Sequence, residues 1–318
     1  MADVKKHLPK VKNKALRLLV KIKRAMSRVT KKMVAVCTGI LVLLFLFIMM
    51  TSYKIDTSLS FAETPASQSS PRILQTWQEL IKREVSDNTF VPNRPFFSPS
   101  AYLSNMGAFQ RGVIDGLSKY TTHLALNTDN KDLIKAAELL RYPPDIWLFG
   151  TSEDGKISKS STQQYKLARR ALEKYTLQTK KEDFLLNTDQ GIALSIRFIR
   201  GDLRRILDYL TSKINGDVEK DQNYSTSKVF FFVKGRVYVH ALFLRDMIES
   251  DATDLTILEK QHLRTTLKML EDTANLDPWI VLNSSMNRTF MANHLAYEAY
   301  GISGALRSLL DFEKVHNK

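Results

Sequence analysis

Cysteine is nearly missing from this 318-residue chain: Cys37 stands alone, so no internal disulfide can form and any folded part must hold by core burial. Acid is missing from one end. Residues 1–32 hold Asp3 as their single carboxylate against twelve Lys or Arg, so eleven of the fourteen net positive charges sit there and the remainder of the chain is only +3. Charge of either sign is missing from residues 33–53 (MVAVCTGILVLLFLFIMMTSY). Absent too are a Gly-x-Ser-x-Gly elbow, a Gly-x-x-x-x-Gly-Lys phosphate loop and a Gly-x-Gly-x-x-Gly dinucleotide turn, which removes the hydrolase, nucleotide-hydrolase and dehydrogenase classes that carry those signatures. Fixed-period repeats are not visible either, which argues against a solenoid.

What is present begins with the uncharged run. About 20 residues at ~1.5 Å rise each cross a hydrocarbon core of ~30 Å, so residues 33–53 read as one membrane span. The basic flank before it and Lys54 and Asp56 after it orient residues 1–32 to the cytoplasm and the rest to the far side, by the bias of Lys and Arg toward cytoplasmic loops. A cleavable signal peptide is the rival, with Ser60, Phe61 and Ala62 as a loose cleavage site. Its basic region and apolar core would both be longer than usual, so an uncleaved signal anchor is the expectation.

In residues 1–32, Leu8, Val11, Ala15, Leu18, Ile22, Ala25 and Val29 recur every three or four positions with basic residues between them. That pattern predicts an amphipathic cytoplasmic helix on anionic headgroups. Nucleic acid is the less favoured partner, because no stacking aromatics interleave the charges. Residues 54–71 are rich in Ser, Thr, Pro and Ala and read as a flexible stalk.

Residues 72–318 read as all-α, a large helical bundle domain. Helical spacing marks Ile73 to Ile81, Met106 to Tyr120, Lys131 to Arg141, Tyr165 to Tyr175 and Leu263 to Ala274. The longest stripe runs Ile192, Ile196, Ile199, Leu203, Ile206, Leu207, Leu210, Ile214. Residues 229–239 (VFFFVKGRVYV) suit a strand by composition, but continuation to residue 250 favours one long helix. A polar loop is expected at residues 150–161. A last helix is expected from Arg288 to Phe312, with Ala292, Ala296, Ala299 and Ser303 as a small-residue face for close helix approach.

Three stretches carry a likeness: residues 103–113 (LSNMGAFQRGV), residues 277–284 (DPWIVLNS), and Ala292-Asn293-His294 leading into Tyr300-Gly301-Ile302-Ser303 and Leu306. In this order they resemble the bacterial single-span inner-membrane proteins grouped as domain of unknown function 2333, and residues 189–213 and Gly235-Arg236 are similar to that family as well. The likeness covers most of residues 72–315. It implies an inner-membrane anchor with a mostly helical periplasmic domain, and brings no activity, cofactor or catalytic residue with it. The chain departs from the family at residues 93–99 (NRPFFSP), where a Gly-rich turn after Lys-Pro is usual.

Candidate chemistry is sparse. Glu259 and His262 have the i, i+3 spacing of di-iron bundles, but no second Glu-x-x-His exists, so a solvated helix face is the expectation. Asn293, His294 and Glu298 form the best polar candidate, since His294 and Glu298 share a helix face; a hydrogen-bonded structural histidine is the favoured reading. Arg197, Arg200 and Arg204 share one side of a helix and suit an anion or an acidic partner, with Asp202 and Asp208 close enough to neutralise them. No catalytic, cofactor-binding or metal residue is assigned. The expected role is a non-enzymatic scaffold or interaction protein of the bacterial envelope, meeting other envelope proteins or itself. A membrane-tethered hydrolase or wall-modifying enzyme is the alternative.

Overall fold

The computed structural model describes residues 31–60, 70–151, 157–180, 184–216, 223–250, 255–284 and 292–316. The proposed amphipathic helix of the basic tail therefore lies outside the described residues, as do residues 61–69 of the stalk. Two compact units are present, residues 1–51 and 52–318.

In the first unit, helix α1 (Lys31–Ser52) is long and apolar enough to cross a membrane. Its 22 residues reach about 33 Å. Its apolar side chains lie open all around, Leu41 at 65% and Met50 at 72% exposure. Such a surface in water would be strongly unfavourable, at roughly 25 cal/mol per Å².

Among its described residues the second unit is all-α apart from one small hairpin. Its helices are α2 (Arg72–Lys82), α3 (Ser104–Thr128), α4 (Lys131–Leu140), α5 (Ser161–Gln178), α6 (Asp189–Gly216), α7 (Asn223–Glu249), α8 (Ile257–Ala274) and α9 (His294–His316). Strands β1 (Phe149–Thr151) and β2 (Ile157–Lys159) pair antiparallel where a loop was expected, Gly150 opposite Ser158.

Helix α7 is the axis of the bundle. Residues 229–239 are helical, and Phe230, Phe231, Val233, Val237, Tyr238 and Val239 are all buried. A helix covered on every side has no exposed face, so it shows no clear 3.6-residue period in its sequence. It meets α3 backbone to backbone. A Cβ on Gly112 would lie 2.0 Å from the Phe232 carbonyl oxygen, and one on Gly235 would lie 2.3 Å from that of Phe109. The crossing therefore tolerates hydrogen alone at both positions.

Helix α6 buries the expected stripe, Ile192, Ile196, Ile199, Leu203, Ile206 and Leu210. Helix α9 approaches α8 closely, but through a different face from the one expected. Gly301 sits against Thr273, Gly304 against Met269, and the Ser308 hydroxyl donates to the His262 carbonyl at 2.9 Å, while Ser303 is exposed. The helix begins at His294, after residues 285–291, which are not described.

The first part of the expected stalk is docked. Ile55, Thr57 and Leu59 alternate inward at period 2, as in an extended strand, with Ile55 and Leu59 against the core. Arg83 donates to the Asp56 carbonyl at 2.9 Å, Tyr238 donates to the Ser58 carbonyl at 2.6 Å, and Thr57 donates to Asn275 at 2.7 Å. Residues 55–59 thus form a strap belonging to the domain. Composition hid this because short alternation among Ser and Thr looks like a linker.

Candidate functional site

Three helices each bring charged or polar side chains one turn apart to the same place. Helix α3 supplies Asp115, Lys119 and Tyr120, α6 supplies Asp202 and Arg205, and α7 supplies Arg236 and His240. Residues spaced by three or four share a helix face, so each set points one way once its helix is packed.

At the centre is Asp202, 1% exposed. Its Oδ2 accepts from Arg236 Nη2 at 2.5 Å and from His240 Nε2 at 3.0 Å, and its Oδ1 accepts from Arg205 Nη2 at 3.0 Å with Lys119 Nζ at 3.7 Å. Asp115 takes Lys119 at 2.8 Å and Arg236 Nε at 3.1 Å. Burial by itself pushes the Asp202 carboxyl up. The His240 hydrogen bond with the Arg236 and Lys119 charges outweighs it and holds the group well below the carboxylate range.

Burial lowers His240, although Asp202 pulls the other way. A neutral imidazole fits the geometry. Its Nε2–H donates to Asp202 and its Nδ1 accepts the Tyr120 hydroxyl at 2.6 Å. Burial and the nearby Asp202 charge raise the Tyr120 phenol well above its usual value, so it stays protonated and donates.

A hydroxyl, an imidazole and a carboxylate in series have the order of a nucleophile, its base and the group that orients the base. Here access is missing. Tyr120 and His240 are 2% and 1% exposed, and Tyr120 is enclosed by Phe243 stacked at 4.5 Å, Phe198 at 4.9 Å and Trp77 at 5.8 Å. None of the three lines either of two surface clefts, one of about 510 Å³ among α3, α6 and α7 and one of about 390 Å³ between α8 and α9.

The residues singled out from sequence are dispersed. Asn293 and His294 tie the start of α9 to residues 282–284. Asn293 Oδ1 accepts from the Ala296 N–H at 2.9 Å and its Nδ2 donates to Asn283 at 2.9 Å and to the Ser284 carbonyl at 2.8 Å. His294 Nδ1 accepts from the Leu282 N–H at 3.0 Å, and its own N–H donates to the Leu282 carbonyl at 2.9 Å.

Glu298 points instead into the interior. It is fully buried, neither carboxyl oxygen has a hydrogen-bond partner, and burial raises it well above the carboxylate range despite Lys234. Burial thus favours its protonated form. Burial lowers Lys234, which donates to the Leu276 carbonyl at 2.7 Å and reaches Asp277 at 3.3 Å.

On α6, Arg200 pairs with Glu313 of α9, whereas Arg197 and Arg204 are exposed and form no ion pair among the described residues. Asp202, expected as their neutraliser, faces inward. Glu259 and His262 do not act together: Glu259 closes a capping box with Thr256 and binds His316 Nδ1 at 2.6 Å. Among the described residues, no three His, Cys, Asp or Glu gather as metal ligands.

Sequence reasoning did not bring Tyr120, Asp202, Arg236 and His240 together as a site. One signal was available: Lys234, Arg236 and His240 interrupt an apolar run, and polar groups in a buried helix require partners. Comparison with family models, curated proteins and solved structures finds no match for this chain.

Proposed function

We propose that this chain is a membrane-anchored helical interaction protein of the bacterial envelope, with its N-terminus cytoplasmic and its α2–α9 domain periplasmic, and that it works by binding, not by catalysis. Its place would be with the domain of unknown function 2333 proteins, on the strength of the segments quoted above. The anchor is supported by the bare apolar α1 and the orientation by the concentration of positive charge before it. Other envelope proteins, a second copy of the chain and anionic headgroups at the tail are the partners this reading expects, and no cofactor is required.

The observation that carries the non-catalytic reading is the sealing of the Tyr120–His240–Asp202 series. A reacting group must meet its substrate at about 3 Å, and aromatic side chains occupy that space around Tyr120. The same groups have a sufficient role in the fold, since Asp202 is the counter-charge for Arg236 inside the bundle.

The Tyr120→Phe variant tests this. It removes the hydroxyl and leaves His240 Nδ1 buried without its donor, at a cost of about 1–3 kcal/mol. We expect a lowered melting temperature with complementation of a deletion strain retained. Unchanged melting with lost complementation would point to the membrane-tethered enzyme.

A further inference from the structure

The cleft among α3, α6 and α7 is basic. Arg94, Arg111, Lys213 and Lys228 line it, and no lining residue is acidic among those described. Arg94 and Arg111 are exposed and make no ion pair among the described residues, so their charge is directed at solvent. Lys213 stands 5.9 Å over the ring of Tyr209, which also lines the cleft.

A second observation points the same way. The first turn of α3 opens into the cleft at Ser104 and Gly107, and no side chain caps that end of this 25-residue helix, nor does its first turn hold an acid. The positive end of its dipole, uncapped by any side chain, adds to the four cations.

The cleft is not purely polar. Val91, Val229 and Phe232 supply an apolar side. The loop forming one wall, through Pro92, Arg94 and Ala101, carries Phe96 and Phe97 at its tip, 81% and 62% exposed. Phe97 meets Trp147 edge-on at 5.4 Å, and the neighbouring Phe149 is 74% exposed. Aromatic side chains left open beside a basic cleft suit the boundary between headgroups and acyl chains. This loop is also where the chain departs from the Gly-rich turn of the family it resembles.

We propose that this cleft binds the phosphate-bearing headgroup of an anionic lipid, with Phe96, Phe97 and Trp147 entering the interfacial layer beside it. The assignment rests on the membrane-anchored reading for the source of the lipid; the cations, the open helix end and the aromatic rim stand independently of it.

The test uses the full chain in a neutral detergent, titrated calorimetrically with short-chain phosphatidylglycerol, short-chain phosphatidylcholine and inorganic phosphate. The expected order is phosphatidylglycerol first, with phosphatidylcholine and phosphate at least tenfold weaker. Arg111→Glu with Lys213→Glu should remove most of the phosphatidylglycerol affinity while leaving the basic tail untouched, and Phe96→Ser with Phe97→Ser should weaken the lipid and spare phosphate. All four positions lie at the surface or cleft, and unchanged melting of both double variants checks the fold. Equal binding of the two lipids, or no loss in the charge variant, would overturn the site. Phosphate binding as tightly as the lipid would overturn the lipid and leave a free anion in its place. Because the lipid is added from solution, these results do not depend on whether α1 spans a bilayer, which fractionation reads separately.

Discussion

Helices α1 and α7, of 22 and 27 residues, both carry long apolar runs without one wet face, and they differ in their charges and in what the apolar surface meets. Every charged or polar position described along the middle of α7 has an answering group: Asp202 and Asp115 for Arg236, the Leu276 carbonyl and Asp277 for Lys234, Tyr120 and Asp202 for His240. Helix α1 has no charge from residue 33 onward, and its apolar side chains stand exposed. The contrast shows how to read an apolar run that lacks amphipathic period. Buried charges demand counter-charges on neighbouring helices and so mark a protein interior, whereas an uncharged run has no such demand and suits lipid.

The comparison breaks most easily at Asp202. Replacing it with Ala leaves Arg236 inside the bundle without its closest counter-charge, and loss of one partner of such a pair typically costs about 3–5 kcal/mol. Asp202→Ala should lower the denaturant midpoint accordingly. Its pH dependence is also fixed in sign. The folded carboxyl titrates below its unfolded value near 3.9, so its contribution is present above that pH and is lost as pH falls; acid unfolding of Asp202→Asn should lack this component. A melting curve for Asp202→Ala identical to that of the parent would mean that the interior charges do not hold the bundle.

Glu298 sharpens the comparison with a smaller effect of opposite sign. It is a buried acid without a hydrogen-bond partner, and its folded value is raised above the unfolded one. Its favourable contribution is therefore complete below the unfolded value near 4.3 and is lost as pH rises toward the folded one. Glu298→Gln should match the parent near pH 4 and exceed it increasingly as pH rises toward the folded value. Thermal melts at stepped pH read this directly. A constant difference across pH would show that Glu298 ionises normally in the fold.

The legible parts of the fold were those with one wet face. Helix α6 shows its stripe because Arg197, Arg204 and Asp208 stay in solvent opposite Ile192 to Leu210. Helix α7 shows none because both sides are buried, leaving residues 229–239 open between strand and helix. The three-residue strands of the hairpin are too short for a period to register, and the strap at residues 55–59 alternates through Thr57 as well as through apolar residues.

The site was less legible for a different reason. His294 and Glu298 share a helix face by spacing, yet α9 begins at His294, so the imidazole accepts from the Leu282 N–H while Glu298 enters the core one turn later. Asp202 sits among arginines in sequence, but the rotation of α6 turns it toward α7. Spacing fixes which residues of one helix travel together; the partner helix depends on packing across 34 to 120 residues of chain, as for Arg236 and Tyr120.

The most direct test of the comparison is alkaline extraction of membranes from cells making the full chain. The account predicts that the protein stays in the membrane pellet and is released intact by detergent, because the apolar side chains of α1 stand exposed whereas those of α7 are buried. Recovery of the full-length folded protein in the aqueous supernatant without detergent would contradict it, since the bare apolar surface of α1 would then have found its cover in protein and not in lipid.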